Sequence, residues 1–149
     1  MPLVAVEPAD LLGRPANEPI VEELARFASP QRGPDRPPSV VGGYAVVAHP
    51  EVVERIVAIG ALLPRELAAR VVYGSPCLID DAGEVVAVGR GMRDLMLRLD
   101  PGVVAASGLE ATPESRLDGW CRVSIWPAGL RGQAAVERLG VLCLLASRP

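Results

Sequence analysis

One histidine, three cysteines and a short run of carboxylates are the residues with which this chain could do covalent or metal chemistry. His49 directly precedes Pro50, and no Ser or Cys motif surrounds it to supply the nucleophile of a triad or a Cys–His pair. It reads as a turn residue. Cys77, Cys121 and Cys143 are an odd, widely spaced set without a Cys-x-x-Cys, and zinc would need Cys and His at ligand spacing. They are expected to be small buried apolar residues of a protein in a reducing compartment. Asp80, Asp81 and Glu84 offer carboxylate ligands, yet Asp80-Asp81-Ala82-Gly83 is explained by turn preference alone. Gly89-Arg90-Gly91 resembles a fragment of a phosphate loop, but further glycines, a Lys-Ser/Thr and a following helix are missing. A hairpin turn accounts for it better. No catalytic residue, metal or cofactor is therefore expected; a small enzyme would have to use Asp81, His49 or Cys77.

Two groups of residues point to binding instead. Arg90, Arg93 and Arg98 flank one turn and are candidate anion contacts, with Asp94 and Asp100 close by to neutralise them. Trp120, Arg122 and Trp126 share parity in an alternating stretch, which predicts one exposed strand face with a cation–π sandwich. With Arg131 and Arg138 on the following helix, they form the candidate interaction surface. The competing reading packs both tryptophans under loops or against that helix. Aromatic residues total five, too few for a platform that stacks single-stranded nucleic acid.

The scaffold is one domain's worth of chain: 149 residues, half hydrophobic and 22% charged, a globular rather than a disordered composition. All fifteen basic residues are arginine, and the formal net charge is −3. The first sixty residues hold eight acids against five arginines, whereas Arg122, Arg131, Arg138 and Arg148 face only Glu137 in the last thirty. A pI near 5.2 argues against an autonomous nucleic-acid binder and leaves a local basic face near the C-terminus. The opening Met1-Pro2-Leu3-Val4 lacks the features of a signal peptide. The apolar stretches Val40–Ala48 and Ile56–Leu63 fall short of the roughly 20 residues that cross a bilayer. A soluble, cytoplasmic protein is expected.

Residues 1–39 read as a proline-rich segment with one short helix, started by Asn17 as N-cap and carrying Ile20, Leu24 and Phe27 at helical spacing. Ser29–Ser39 then predicts an extended connector. Residues 40–149 read as an α+β domain. Val40–His49 suits a strand bent at Gly42-Gly43, and Pro50 opens a helix striped by Val52, Val53, Ile56, Val57 and Leu63. Arg65–Arg70 could add a helical turn. Val71–Tyr73, Cys77–Ile79, Glu84–Gly89 and Leu95–Leu99 are spaced too closely for anything but antiparallel hairpins. Residues 103–119 are ambiguous, Trp120–Trp126 is a further strand, and Arg131–Ala146 is the last helix. The expected architecture is a single-domain α+β fold, a curled antiparallel β-meander packed with flanking helices.

The order Val72-Tyr73-Gly74-Ser75, hairpin, Val88-Gly89, then Asp94-Leu95-Met96-Leu97-Arg98-Leu99 resembles the TfoX N-terminal domain family. Gly119-Trp120-Cys121-Arg122-Val123 and the tail Ala146-Ser147-Arg148-Pro149 are similar to that family's later strand and terminus. The MmcQ/YjbR-like proteins share the plan. The resemblance covers about residues 66–149 and departs at Ser75-Pro76. It implies a compact α+β domain, linked to competence regulation in some relatives, with no catalytic residues to transfer. The functional expectation is a non-enzymatic regulatory or adaptor domain acting through a protein partner or as a homodimer. The alternative is a regulator that binds nucleic acid or a small anion through the C-terminal arginines.

Overall fold

From Leu67 to Leu97 the computed structural model places four strands that pair in sequence order; the structure describes residues 3–34 and 39–147. These strands are β4 (Leu67–Val72), β5 (Ser75–Asp80), β6 (Val85–Arg90) and β7 (Asp94–Leu97). Three shorter strands, β1 (Val4–Ala5), β8 (Thr112–Pro113) and β9 (Cys121–Ser124), complete one sheet in the order β1-β4-β5-β6-β7-β9-β8. All pairings are antiparallel except β1 with β4. The α+β class stands, but the sheet is open and mixed, not curled. The reason is coverage: helices pack on both faces, so the sheet has no need to wrap one core.

The first face carries α3 (Pro50–Leu62), α4 (Pro101–Ala106) and α5 (Gly132–Ser147). Val52, Ile56 and Ile59 from α3 meet Leu78, Leu95, Leu97, Val123 and Ile125 of the sheet side, with Leu139, Leu142 and Cys143 of α5 beside them. α3 and α5 lie side by side in parallel: the Arg55 guanidinium donates to the Gly132 carbonyl at 3.1 Å, and a turn or two on, Leu62 and Leu63 close over Gly140. Gly89 lets α3 seat deeply, because a Cβ there would stand 2.6 Å from Val52 Cγ1.

The second face is covered by the N-terminal segment. α1 (Pro8–Leu11), a 3-10 turn at Pro15–Asn17 and α2 (Glu18–Arg26) lay Leu11, Ile20, Val21 and Leu24 onto Val72, Cys77, Val85, Val88 and Met96. A helix as short as α2 persists through this docking. Asn17 occupies the N-cap position yet caps nothing through its side chain. Its amide donates to the carbonyls of Leu11 and Gly83, both at 2.9 Å, and its oxygen accepts from the Val85 N–H at 2.8 Å. Fully buried, Asn17 ties the N-terminal layer to the β5–β6 hairpin.

Other expectations shift for local reasons. Val40–His49 is not a bent strand but a tight hairpin of β2 (Val40–Val41) and β3 (Tyr44–Ala45), since Gly42 and Gly43 both take positive φ. Residues 67–70 join β4 rather than a helical turn, because their partners on β5 supply a full hydrogen-bonded ladder. At the start of the expected connector, Pro30 bridges Tyr44 and Gln31 N–H donates to the Gly43 carbonyl. The connector's residues 35–38, like Arg148 and Pro149, lie outside the described residues.

Candidate interaction surface

The expected Trp120–Arg122–Trp126 face does not form. Strand β9 ends at Ser124, and Trp126 leaves the alternation with φ −115° and ψ 68°. Trp120 is buried in the core beneath the N-terminal layer, whereas Trp126 is half-buried against the core on the opposite face. Between them, Arg122 pairs with Glu114 at 2.8 Å and with Asp94 at 3.6 Å. An open polar hollow of about 450 Å³ lies here, lined by Asp94, Glu110, Thr112, Glu114 and Ser124; its arginine is already held by two of its carboxylates. The cation that does stack on Trp126 is Arg131, 5.1 Å from the ring centroid. Arg138 is exposed and reaches the Ser107 carbonyl at 3.5 Å.

The three candidate anion contacts are also separated. Arg90 is buried at the end of β6, with its guanidinium 4.3 Å from the centroid of Phe27, and loss of solvent holds it below its ordinary acidity range. Arg98 sits past β7 near the start of β6, at the other end of a strand roughly 20 Å long. It pairs with Glu84 at 2.8 Å and donates to the Ala146 carbonyl at the end of α5, a favourable place for a cation. Arg93 alone is exposed at the β6–β7 turn. The carboxylates weighed as ligands have structural uses: Asp80 Oδ1 accepts from the N–H groups of Ala82 and Glu84, closing the turn. His49 caps α3, its Nδ1 accepting from the Glu51 N–H at 3.1 Å.

All three cysteines are buried and free, as read from their sequence settings. Burial raises their thiols from the ordinary 9.0, Cys77 and Cys143 to about 12 and Cys121 to about 11. They are therefore protonated in the folded chain wherever an unfolded thiol ionises. Since the unfolded state releases protons first, stability is expected to fall as pH rises from about 9 toward 12. Urea midpoints at neutral pH and across that window check this. A Cys77→Ala/Cys143→Ala variant should flatten the slope, and an unchanged slope would assign it to other groups.

A surface the sequence reading did not single out lies on the outer side of α3 and α5. Leu62, Val141 and Leu145 are 38%, 57% and 38% exposed. Val141 and Leu145 stand one turn apart on α5, and Leu62 packs beside Gly140. The readable signal was the uncharged run 139–147, since a helix apolar all round buries more than one face.

No protein-family model matches the chain, no curated protein matches it, and no solved structure matches it. Among the described residues, no helix is long and apolar enough to cross a membrane, and no group of three His, Cys, Asp or Glu stands where it could hold a metal ion.

Proposed function

We propose that this chain is a non-enzymatic interaction domain that pairs with a second copy of itself through the outer side of α3 and α5, serving a regulatory or adaptor role. The observation that carries the reading is the exposed apolar set Leu62, Val141 and Leu145 on two helices whose inner faces already fill the core. A two-fold pairing brings the same patch of each copy together, so a single helix face suffices to close a dimer. The likeness to the TfoX N-terminal domain family, carried by the sequence motifs alone, belongs to this proposal. The residues of that likeness fall at the β4–β5 turn, in β6 and β7, and along β9.

Nucleic acid is the weaker reading because three of the arginines it would use are engaged within the fold, Arg90 under Phe27, Arg98 on Glu84 and Arg122 on Glu114 and Asp94, which leaves too few free cations for a phosphate backbone.

Sedimentation over a concentration series tests the pairing. A dimer is expected whose association strengthens in sodium sulfate, as apolar burial does. Val141→Arg should weaken it by about thirtyfold or more, the scale of a central contact residue, without changing the unfolding transition of the monomer. A monomer at every concentration would overturn the pairing.

A further inference from the structure

We infer that the corner formed by the β6–β7 turn and the loop before α5 binds an acidic peptide segment that carries an apolar side chain between its carboxylates. This surface is separate from the one proposed for self-pairing: it lies at the start of α5, whereas Val141 and Leu145 lie in its C-terminal half.

Its anchor is Met92, 73% exposed at the apex of the turn. Exposure alone would mean little, but the turn's backbone is held from both sides. The His49 N–H donates to the Gly91 carbonyl and the Ile125 N–H to the Arg93 carbonyl, both at 2.8 Å. Met92 is thus presented on a fixed support beside Trp126, and with His49, Glu51 and Arg93 these residues line a hollow of about 330 Å³. A thioether and an indole edge make an adaptable apolar seat for one side chain.

The charge of the seat names the partner. Arg93 and Arg131 have no carboxylate within ion-pair distance among the described residues, unlike Arg98, Arg116 and Arg122. Glu51 also lines the hollow, one acid against the two arginines. Arg131 is set over Trp126 by a loop in which Ala128 takes a left-handed conformation, φ 53° and ψ 29°, which a side chain adopts only at a cost. Arg93 in the lining and Arg131 over the Trp126 ring, on either side of the Met92 and Trp126 seat, complement a segment whose carboxylates flank an apolar residue. Two cations beside an acid are too few for a phosphate backbone, whose binding rests on several phosphate contacts.

The test uses the isotope-labelled full chain, titrated in NMR with a synthetic octapeptide of alternating Asp and Leu. Shifts are expected at the Met92 methyl, the Trp126 indole N–H and the side chains of Arg93 and Arg131. Affinity should fall several-fold between about 50 and about 200 mM salt. Arg93→Glu/Arg131→Glu and Met92→Ala should each weaken binding at least about tenfold, with unchanged spectra elsewhere. The same peptide with Lys for Asp, or with Ser for Leu, should not shift the corner. Equal shifts with the Lys peptide, shifts confined to other surfaces, no shift at millimolar peptide, or stronger shifts with a short duplex DNA would each overturn the proposal. Because Val141→Arg leaves this corner intact, a failure here and a failure of the self-pairing are read separately.

Discussion

Replacing Asn17 with alanine is expected to destabilise the chain by about 3–5 kcal/mol, an exceptionally large loss for one substitution. The buried amide satisfies two carbonyls and one N–H at once: Leu11 in the N-terminal layer, and Gly83 and Val85 in the β5–β6 hairpin. Alanine would leave these groups without their partner in a site closed to solvent, and each orphaned group costs about 1–3 kcal/mol. The transition temperature should fall by on the order of 10 °C. Calorimetry measures the loss, and hydrogen exchange locates it: the amides of α1 and α2 and the Val85 N–H should lose protection before those of β4–β7. Asn17→Asp is the sharper control. It keeps an acceptor for Val85 but faces two carbonyls with no donor, so it should be no better than alanine. A loss under about 1 kcal/mol for either variant would mean that apolar contact from Ile20, Val21 and Leu24 holds the layer without the staple.

Gly74→Ala carries the second large effect, about 3 kcal/mol, for a different reason. Tyr73 and Gly74 form the two-residue turn between β4 and β5 and both have positive φ, 51° and 81°, which suits the twist of an antiparallel hairpin. A Cβ on Gly74 would also overlap the carbonyl oxygen of Ala45. The β2–β3 hairpin rests on this turn, with the Val47 N–H donating to the Gly74 carbonyl at 2.9 Å and the rings of Tyr44 and Tyr73 edge to face at 5.3 Å. Gly43→Ala separates the two causes. Gly43 has nearly the same φ, 82°, but open space where its Cβ would go, so its replacement should cost only about 1 kcal/mol. Denaturant midpoints of the two variants decide the matter. Equal losses would show that backbone conformation, and not the packing of the β2–β3 hairpin, controls the site.

What was legible in the residues is what depends on neighbours along the chain. Alternation from Val71 to Leu99 marked the antiparallel strands, Pro50 and Val52, Ile56 and Val57 marked α3, and the apolar settings of Cys77, Cys121 and Cys143 marked them as buried. Local pattern also located the β5–β6 turn, because Asp80-Asp81-Ala82-Gly83 favours bent backbone wherever it stands.

The candidate surfaces were less legible. The parity that joined Trp120 to Trp126 holds only while the backbone is extended, and β9 stops at Ser124, so the two rings fall on opposite faces. Arg90, Arg93 and Arg98 are near in sequence, but a hairpin carries them to the two ends of β6. Sequence alone marked α3, α5 and the antiparallel strands between Val71 and Leu99. Tertiary structure decided that the N-terminal layer covers the second sheet face, that Asn17 staples rather than caps, and that Arg93 and Arg131 keep their charge unpaired while Arg98 and Arg122 do not. The physical reason is range: propensity and periodicity act over a few residues, whereas a buried amide's partner lies 68 residues away along the chain and Arg116 finds its counter-charge on Glu23 in the N-terminal layer.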